Sequence, residues 1–418
     1  MKRVIVILLI GVLGLVSVSL AQKTEVIFWE AMEAKLGTTL QTITDLFNKE
    51  NPNIDVKLVF VGNGDQLDSK ILAAAQANTL PTIAQVYPAW AGSLVAQGVV
   101  TPMDAFSDFS TVASQLYPSI IDMSKINGRI YTLPFNQSIY VLYYRPLMFQ
   151  EAGIMPPKTM EELANDAKLL TVVQNGKTVR YGLGFRTEYG VLTAVARQFG
   201  GGKYITPEGS LIINSPENVQ ALTFLVNLVK DGYAYAKFDY FDNELTTSSI
   251  AMLIGEGADL PFDLSDVAGQ KDGIEMASFP VGISNQTAPL FRGQTLVIFN
   301  TATSEQQQAA WQYVKFLLTP AVQIYWAMNT NYSPLNKTVT GLDQWNLFAQ
   351  STSYNPSTIA QGLANGISYS ENLPWWPSVI NNIQTAFQNA VHLTMTPQEA
   401  LDWAQQQSQI VQDKYLGK

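Results

Sequence analysis

Apolar and polar positions along this chain repeat with two different periods, and the alternation between them outlines a layered α/β protein. Thr24 to Trp29 (TEVIFW) reads as a short strand, and Gly37 to Glu50 places Leu40, Ile43, Leu46 and Phe47 at helical spacing. Asn51-Pro52-Asn53 stops that helix, and Ile54 to Val61 alternates as a second strand. Asp65 to Asn78 predicts another helix, with Leu67, Ile71, Leu72 and Ala75 on one face, and Pro81 to Tyr87 is strand-like. Strand, helix, strand, helix, strand in that order predicts right-handed parallel crossovers.

The segment Tyr131 to Leu163 changes the pattern. Leu133-Pro134-Phe135 is apolar, Asn136-Gln137-Ser138 interrupts it, and Ile139 to Tyr144 is rich in aromatic and β-branched residues, so two strands with a polar break are expected. Arg145-Pro146 opens a short helix that ends at Gly153, and Pro156-Pro157 prevents its continuation. Thr159 and Glu162 have capping-box spacing for the next helix. The polar break fits a cleft that hydrogen-bonds a small ligand, and it fits an ordinary connection with polar surface residues equally well. Spacing leaves both readings open.

Further on, Tyr181 to Phe185, Ser249 to Ile254, Ile274 to Phe279 and Thr295 to Phe299 read as strands. Val191 to Phe199, Pro216 to Asp231, Glu305 to Leu318, Pro377 to Val391 and Pro397 to Leu416 read as helices, with Trp311 and Phe316 among the core candidates. No repeat or low-complexity linker is visible. A chain of 418 residues should form two domains, and several ordered strands joining them would account for the missing linker.

The first residues carry an address rather than structure. Met1-Lys2-Arg3 is basic, Val4 to Val18 is almost wholly apolar, and Ser19-Leu20-Ala21 offers small residues for cleavage before Gln22. This pattern predicts a secretory signal peptide over residues 1–21, too short for a stable membrane span. The chain has no cysteine, which excludes disulfides and cysteine-held metals. Gln22 stands where a bacterial lipid anchor needs a cysteine, so a diffusing periplasmic protein without an anchor is expected.

The net charge is −9, from 25 basic and 34 acidic residues, with no basic run beyond Lys2-Arg3, which argues against nucleic acid. Charged residues make up only 14% while aromatics reach 11%, including 8 Trp and 18 Tyr, so an aromatic-lined cleft competes with large aromatic cores as the explanation. Catalytic signatures are sparse. The one histidine, His392, lies between Val391 and Leu393 on a helical face, there is no G-x-S-x-G elbow, and Gly62-Asn63-Gly64 lacks the rest of a phosphate-binding fingerprint. No cofactor or metal site is expected. One enzymatic option stays open: a glycoside hydrolase drawing an acid and a base from Glu30, Glu33, Asp65, Glu256 and Asp259, which sit near candidate strand ends.

Five stretches together resemble a known family. They are IDVKLVFVG (54–62), ILAAAQANTLPTIAQVY (71–87), LPFNQSIYVLYYR with EAGI and PPKTMEEL (133–163), KFLLTPAVQIYWAMNTNYSPLN (315–336) and TPQEAL (396–401). In order and spacing they resemble the extracellular solute-binding proteins of ATP-binding-cassette importers, within the cluster that takes sugars and glycerol-3-phosphate. That resemblance implies a two-lobe periplasmic-binding-protein fold, each lobe a layered α/β sandwich, joined by a hinge of two or three strands. It also implies closure on a ligand and docking onto a membrane permease. The lobes it suggests are residues 22–132 with 296–340, and 133–295 with 341–418. A monomer suits such a shuttle.

Ligand-contacting positions carry over singly from the glycerol-3-phosphate binders. The family's aromatic after the second strand falls near Asn63-Gly64, next to Asp65, and its glutamate after the third strand falls at Pro88, two residues before Trp90. Its serine after P-F-N falls at Gln137 or Ser138, and its serine in the second lobe falls near Gly255 to Gly257, where Glu256 stands. Its glycine matches Gly293, flanked by Arg292, and its tyrosine matches Tyr332. Its arginine, a natural phosphate partner, falls near Trp375-Trp376. A phosphate dianion needs fixed positive charge or a row of backbone donors, so losing the arginine and gaining Glu256 weakens that reading. Trp29, Trp90, Trp375 and Trp376 instead offer faces for a sugar ring, so a carbohydrate is the expected ligand. Arg292 keeps glycerol-3-phosphate or a phosphodiester as the alternative. A secreted adhesin that binds no small ligand is the third class.

Overall fold

The computed structural model describes residues 23–259, 268, 270, 272–283, 290–351, 362–364, 366–368 and 370–418. The expected signal peptide and cleavage site lie outside these residues. No helix among them is long and apolar enough to cross a membrane.

The chain begins with the expected alternation: β1 (Thr24–Glu30), α1 (Ala34–Glu50), β2 (Ile54–Phe60), α2 (Gly64–Ala77), β3 (Ile83–Val86) and α3 (Pro88–Ala96). Strand β1 pairs in parallel with both β2 and β3. Helix α1 forms because Leu40, Ile43 and Phe47 fall on one buried face, and Asn51 closes it by donating its backbone N–H to the Phe47 carbonyl. Helix α2 begins at a capping box, in which the Asn63 side chain accepts from the Gln66 N–H and Gln66 reaches back to the Asn63 N–H. It ends at Asn78 in the left-handed conformation.

The next strand of the main sheet, β4, runs unbroken over Leu133–Tyr144. Asn136, Gln137 and Ser138 do not interrupt it; all three are buried mid-strand, 2%, 0% and 1% exposed. The expected break is therefore absent, because these side chains find internal hydrogen-bond partners in place of solvent. Helix α4 (Pro146–Ala152) ends at Gly153 with a positive φ, as its sequence required. Helix α5 (Met160–Leu170) is capped by Thr159, but Glu162 accepts from the Lys158 N–H, one residue earlier than the Thr159 N–H of a capping box.

After β5 (Val172–Gln174) come β6 (Lys177–Arg186), α6 (Tyr189–Gln198), α7 (Pro216–Lys230), β7 (Ala234–Lys237), β8 (Ile250–Glu256), β9 (Glu275–Ala277) and β10 (Leu290–Ile298). The chain continues through α8 (Ser304–Leu317), α9 (Pro320–Thr330), α10 (Trp376–Val391) and α11 (Pro397–Leu416). His392 is the exposed C-cap of α10 and not part of a helical face.

The sheet order along the main path is β2-β1-β3-β10-β4-β8-β6-β5. Strand β10 pairs antiparallel with β3 over Thr295 to Ile298, and with β4 from Phe291↔Ile139 to Leu296↔Leu133. The far end of β4, from Tyr140 to Tyr144, pairs with β8. Two long strands thus belong to both halves of the sheet. One apolar cluster gathers β1, α1, α8 and α9 around Phe28, Phe47, Trp311 and Trp326, and continues beneath Tyr143, Leu253 and Met276. A second gathers β6, α6, α7, α10 and α11 around Phe185, Leu222, Ile383 and Phe387.

At the crossing, Gly293 has φ +151°, and a Cβ there would lie 1.8 Å from the Asn136 carbonyl oxygen. Gly293→Ala is expected to lower unfolding stability by about 3 kcal/mol, since rigid strand backbone must move. Gly98→Ala, at φ +71° with nothing within 4 Å, bears only conformational strain of about 1 kcal/mol. Urea unfolding of both variants checks the difference.

Candidate functional site

Open α/β sheets bind ligands beyond the carboxyl ends of their strands. Here Tyr87 follows β3, Glu188 follows β6, and Glu256 ends β8 and leads into Asp259. Arg292 joins them from the middle of β10, opposite Ser138 of β4. The two lobes therefore contribute to one constellation, with Tyr87 on the first side and Glu188, Glu256 and Asp259 on the second.

Arg292 is at the centre. Its Nε donates to Glu256 Oε1 at 3.0 Å, and its Nη2 lies 3.6 Å from Glu188 Oε2. Arg186 Nη1 approaches the same Glu188 oxygen at 3.2 Å, while the Tyr140 hydroxyl donates to Glu188 Oε1 at 3.0 Å. The Arg292 guanidinium also sits over the Tyr87 ring, 5.4 Å from its centroid. Asp259 Oδ2 accepts from the Glu256 N–H at 3.1 Å, and the Tyr143 hydroxyl donates to the Glu256 carbonyl. Ser138 Oγ accepts from the Ala258 N–H at 2.9 Å, tying the turn after β8 to the crossing strands.

Burial dominates the electrostatics. It raises Glu256 from 4.5 to about 8, although the neighbouring Arg292 pulls the other way and Asp259 and Glu188 add to the rise. Burial likewise raises Asp259 from 3.8 to about 6. Arg292 stays firmly protonated, because Glu188 and Glu256 outweigh its desolvation. Two guanidiniums, Arg186 and Arg292, thus face three acidic side chains, Glu188, Glu256 and Asp259, and the cluster presents both donors and acceptors.

On the other side of the crossing, Tyr332 stacks on Trp326 at 5.9 Å with planes 9° apart, and its hydroxyl bonds the Asn136 side chain. Asn136 Oδ1 accepts from Gln85 Nε2 at 3.3 Å, and Gln85 Oε1 accepts from the Ala31 N–H at 3.1 Å. This relay runs from β1 to the hinge strands.

The residues picked out from sequence are distributed unevenly around this site. Arg292, Glu256, Ser138, Gln137, Gly293 and Tyr332 come together at the crossing. Gln137 is wholly buried, and its Nε2 donates to the Gln294 carbonyl at 2.9 Å, so it holds β4 to β10. Trp29 is half-buried with the Lys70 ammonium 4.3 Å above its ring, and Trp90 is half-buried on α3. Asn63 and Asp65 are exposed at the start of α2, where the Asn63 side chain is engaged as a cap. Trp375 and Trp376 are 8% and 1% exposed within the second core, with ring centroids 5.6 Å apart. Neither offers the open face that sugar stacking requires; adjacent aromatics here fill volume under α10.

Of the carboxylates considered for hydrolysis, Glu30 accepts from the Met32 N–H in its own turn, and only Glu256 and Asp259 come together. Sequence reasoning did not single out Tyr87, Arg186 or Glu188. The available signal was local: Arg186-Thr187-Glu188 places two charges directly beyond a strand of apolar residues.

Because Glu256 keeps a proton in the folded state that the unfolded chain releases, stability falls as pH rises from 4.5 to about 8. Asp259, raised to about 6, titrates in the lower part of the same range, so Glu256→Gln should flatten the decline between about pH 6 and 8 in urea unfolding repeated across this range. An unchanged slope would refute the assignment.

Residues 42–350 match the family described as Bacterial extracellular solute-binding protein. The sn-glycerol-3-phosphate-binding periplasmic protein UgpB of Yersinia pestis bv. Antiqua is 26% identical over 340 residues, covering 75% of this chain and 74% of that protein. UgpB from Mycobacterium tuberculosis, solved in complex with glycerophosphocholine, superposes with a TM-score of 0.82 at 19% identity, covering 94% of this chain and 99% of that one. The cyclic alpha-maltosyl-1,6-maltose binding protein from Arthrobacter globiformis gives a TM-score of 0.79 at 19% identity, covering 93% and 99%. With two strands shared between two α/β lobes and charged residues converging where they cross, the chain belongs to the bacterial extracellular solute-binding protein family.

Proposed function

We propose that this protein captures a carbohydrate between its lobes and delivers it to an ATP-binding-cassette permease, acting in the periplasm as a monomer without chemistry of its own. The lobes proposed are residues 22–132 with 296–340, and 133–295 with 341–418. One adjustment is that the helix Asp343–Ser351 stays with the first lobe, since Trp345 is buried in the first core. Strands β4 and β10 form the hinge.

The relatives bind both candidate classes, one protein being named for glycerol-3-phosphate and another for a cyclic maltose derivative. The choice therefore falls to this chain's own residues. The observation that carries it is that both guanidiniums are already partnered: Arg292 by Glu256 and Glu188, and Arg186 by Glu188. A phosphate dianion would have to displace a carboxylate from Arg292 and then lie beside it, at a penalty of several kcal/mol. Neutral hydroxyls can donate to Glu188, Glu256 and Asp259 and accept from the two arginines with no net change in charge. The aromatic rings beside them suit the apolar face of a sugar.

A phosphate ester or phosphodiester is the second reading, favoured by the presence of two arginines at the cleft. Tryptophan fluorescence and calorimetric titration with mono- and oligosaccharides, glycerol-3-phosphate and glycerophosphocholine decide between them. A response to a sugar, and none to the phosphate compounds, is the expected outcome; the reverse would overturn the carbohydrate reading. With the sugar that binds, Arg292→Gln should weaken affinity roughly 10- to 100-fold by removing a charge-assisted donor.

A further inference from the structure

Four buried polar atoms at the strand crossing have no hydrogen-bond partner among the described residues: Gln137 Oε1, Gln294 Nε2, Thr295 Oγ1 and Ser333 Oγ. Their residues are 0%, 4%, 2% and 1% exposed. Buried polar groups are nearly always paired, so several unpaired ones in a single place need a physical reason.

These atoms do share one place. In the register of β4 and β10, Gln137 lies opposite Gly293 and Asn136 opposite Gln294. The Ser333 N–H donates to the Gln137 carbonyl at 2.8 Å, which brings Ser333 against the same stretch of β4. Gln137 commits its Nε2 to the Gln294 carbonyl, and its Oε1 has nothing to accept. Thr295 lies opposite Pro134, a residue without an N–H.

The backbone is least regular at the same point. The register shifts between Gln294 and Thr295, a bulge that bends and twists the ladder locally. Gly293 beside it has φ +151°. A rotation of one lobe against the other that keeps the flanking ladders intact concentrates at these residues. Side chains at a twisting point change the neighbours they can reach, whereas those within a regular ladder do not.

In the arrangement described, the lobes are together. Tyr87 of the first lies under the Arg292 guanidinium, which also reaches Glu188 and Glu256 of the second. Ser93 of α3 donates to the Pro374 carbonyl at 2.6 Å, just before α10 enters the second core. The unpaired groups therefore belong to the closed state, and burying them without partners disfavours it.

We infer that Gln137, Gln294, Thr295 and Ser333 make the hinge oppose closure: the empty protein rests open, where a twist of the crossing pairs these groups with water or a new strand neighbour, and the ligand must offset their burial. This rests on the closure of two lobes around a ligand and not on that ligand being a carbohydrate. The hinge then sets affinity from outside the ligand contacts, because a sparsely populated binding-competent state lowers apparent affinity in proportion.

The chain has no cysteine, so Ser69→Cys with Asp239→Cys adds two labelling sites and no others, exposed on α2 and on the turn after β7. Spin-label distance measurement on that pair reads the lobe separation without any ligand. Thr295→Val and Ser333→Ala together remove two unpaired hydroxyls at little change in volume. This variant should shift the ligand-free distances toward the shorter population, and should bind any ligand of the wild type about three- to tenfold more tightly. In urea it should be at least as stable as the wild type. Thr44→Val is the control: its hydroxyl is buried but paired, donating to the Leu40 carbonyl at 2.8 Å, so its loss should lower stability and leave the distances unchanged. Ligand-free distances or an affinity equal to those of the wild type, or a loss of stability as large as that of Thr44→Val, would overturn the inference. Silence of the wild type to every sugar would remove the carbohydrate reading and leave the distance test intact.

Discussion

The pairing of Leu133–Tyr144 with Leu290–Ile298 is the constraint on which the rest of the molecule depends. One end of each strand belongs to the sheet built on β1 and β3, and the other end of Leu133–Tyr144 belongs to the sheet built on β8. Any change in the relation of the lobes must bend or twist these two strands, because their backbone hydrogen bonds continue through both sheets. Gly293 allows the strands to approach at a point where any side chain would strike the Asn136 carbonyl. The buried amides of Asn136 and Gln137 lie in the same stretch, so the hinge is polar inside. Polar groups that have partners in the strands define one register, and a one-residue slip would orphan them.

The binding chemistry follows from that crossing. Ser138 and Arg292 face each other in the register, Ser138 secures the turn after Glu256, and Arg292 reaches Glu256 directly. Removing five ionisable groups from water is unfavourable unless they are paired, and the shared Glu188 provides the pairing. The outcome is a cluster whose polar groups are already oriented. On the proposed reading it favours a ligand that exchanges hydrogen bonds without bringing charge, and preorganisation keeps the entropy of ordering low. On the same reading, contacts from both sides of the hinge let binding shift an open–closed equilibrium.

Much of the fold was legible along the chain because its determinants are local. Gly153 ends one helix through its own backbone freedom, and Thr159 caps the next by accepting from the Glu162 N–H three residues on. The apolar spacing of Pro397–Leu416 and of Ala34–Glu50 likewise needs nothing beyond a few turns to be read. The polar break expected at Asn136 to Ser138 was not real, since the partners that keep those residues buried, Gln85, Gln294 and Ala258, lie far away in sequence.

The sequence by itself determined the order of strands and helices and the absence of cysteine chemistry, and it singled out Arg292, Glu256, Ser138 and Tyr332. Its aromatic content left the placement of those rings open, because composition carries no direction: Trp375 and Trp376 turned into the core while Phe238 and Tyr240 remained exposed. Only the tertiary structure joined Tyr140 to Glu188 and Arg292 to Glu256, across 48 and 36 residues of chain, and brought Arg186 against both Tyr240 and Glu188. Periodicity and capping act between near neighbours, whereas a charge cluster is assembled by the packing of whole strands, and no local pattern encodes which strand ends will meet.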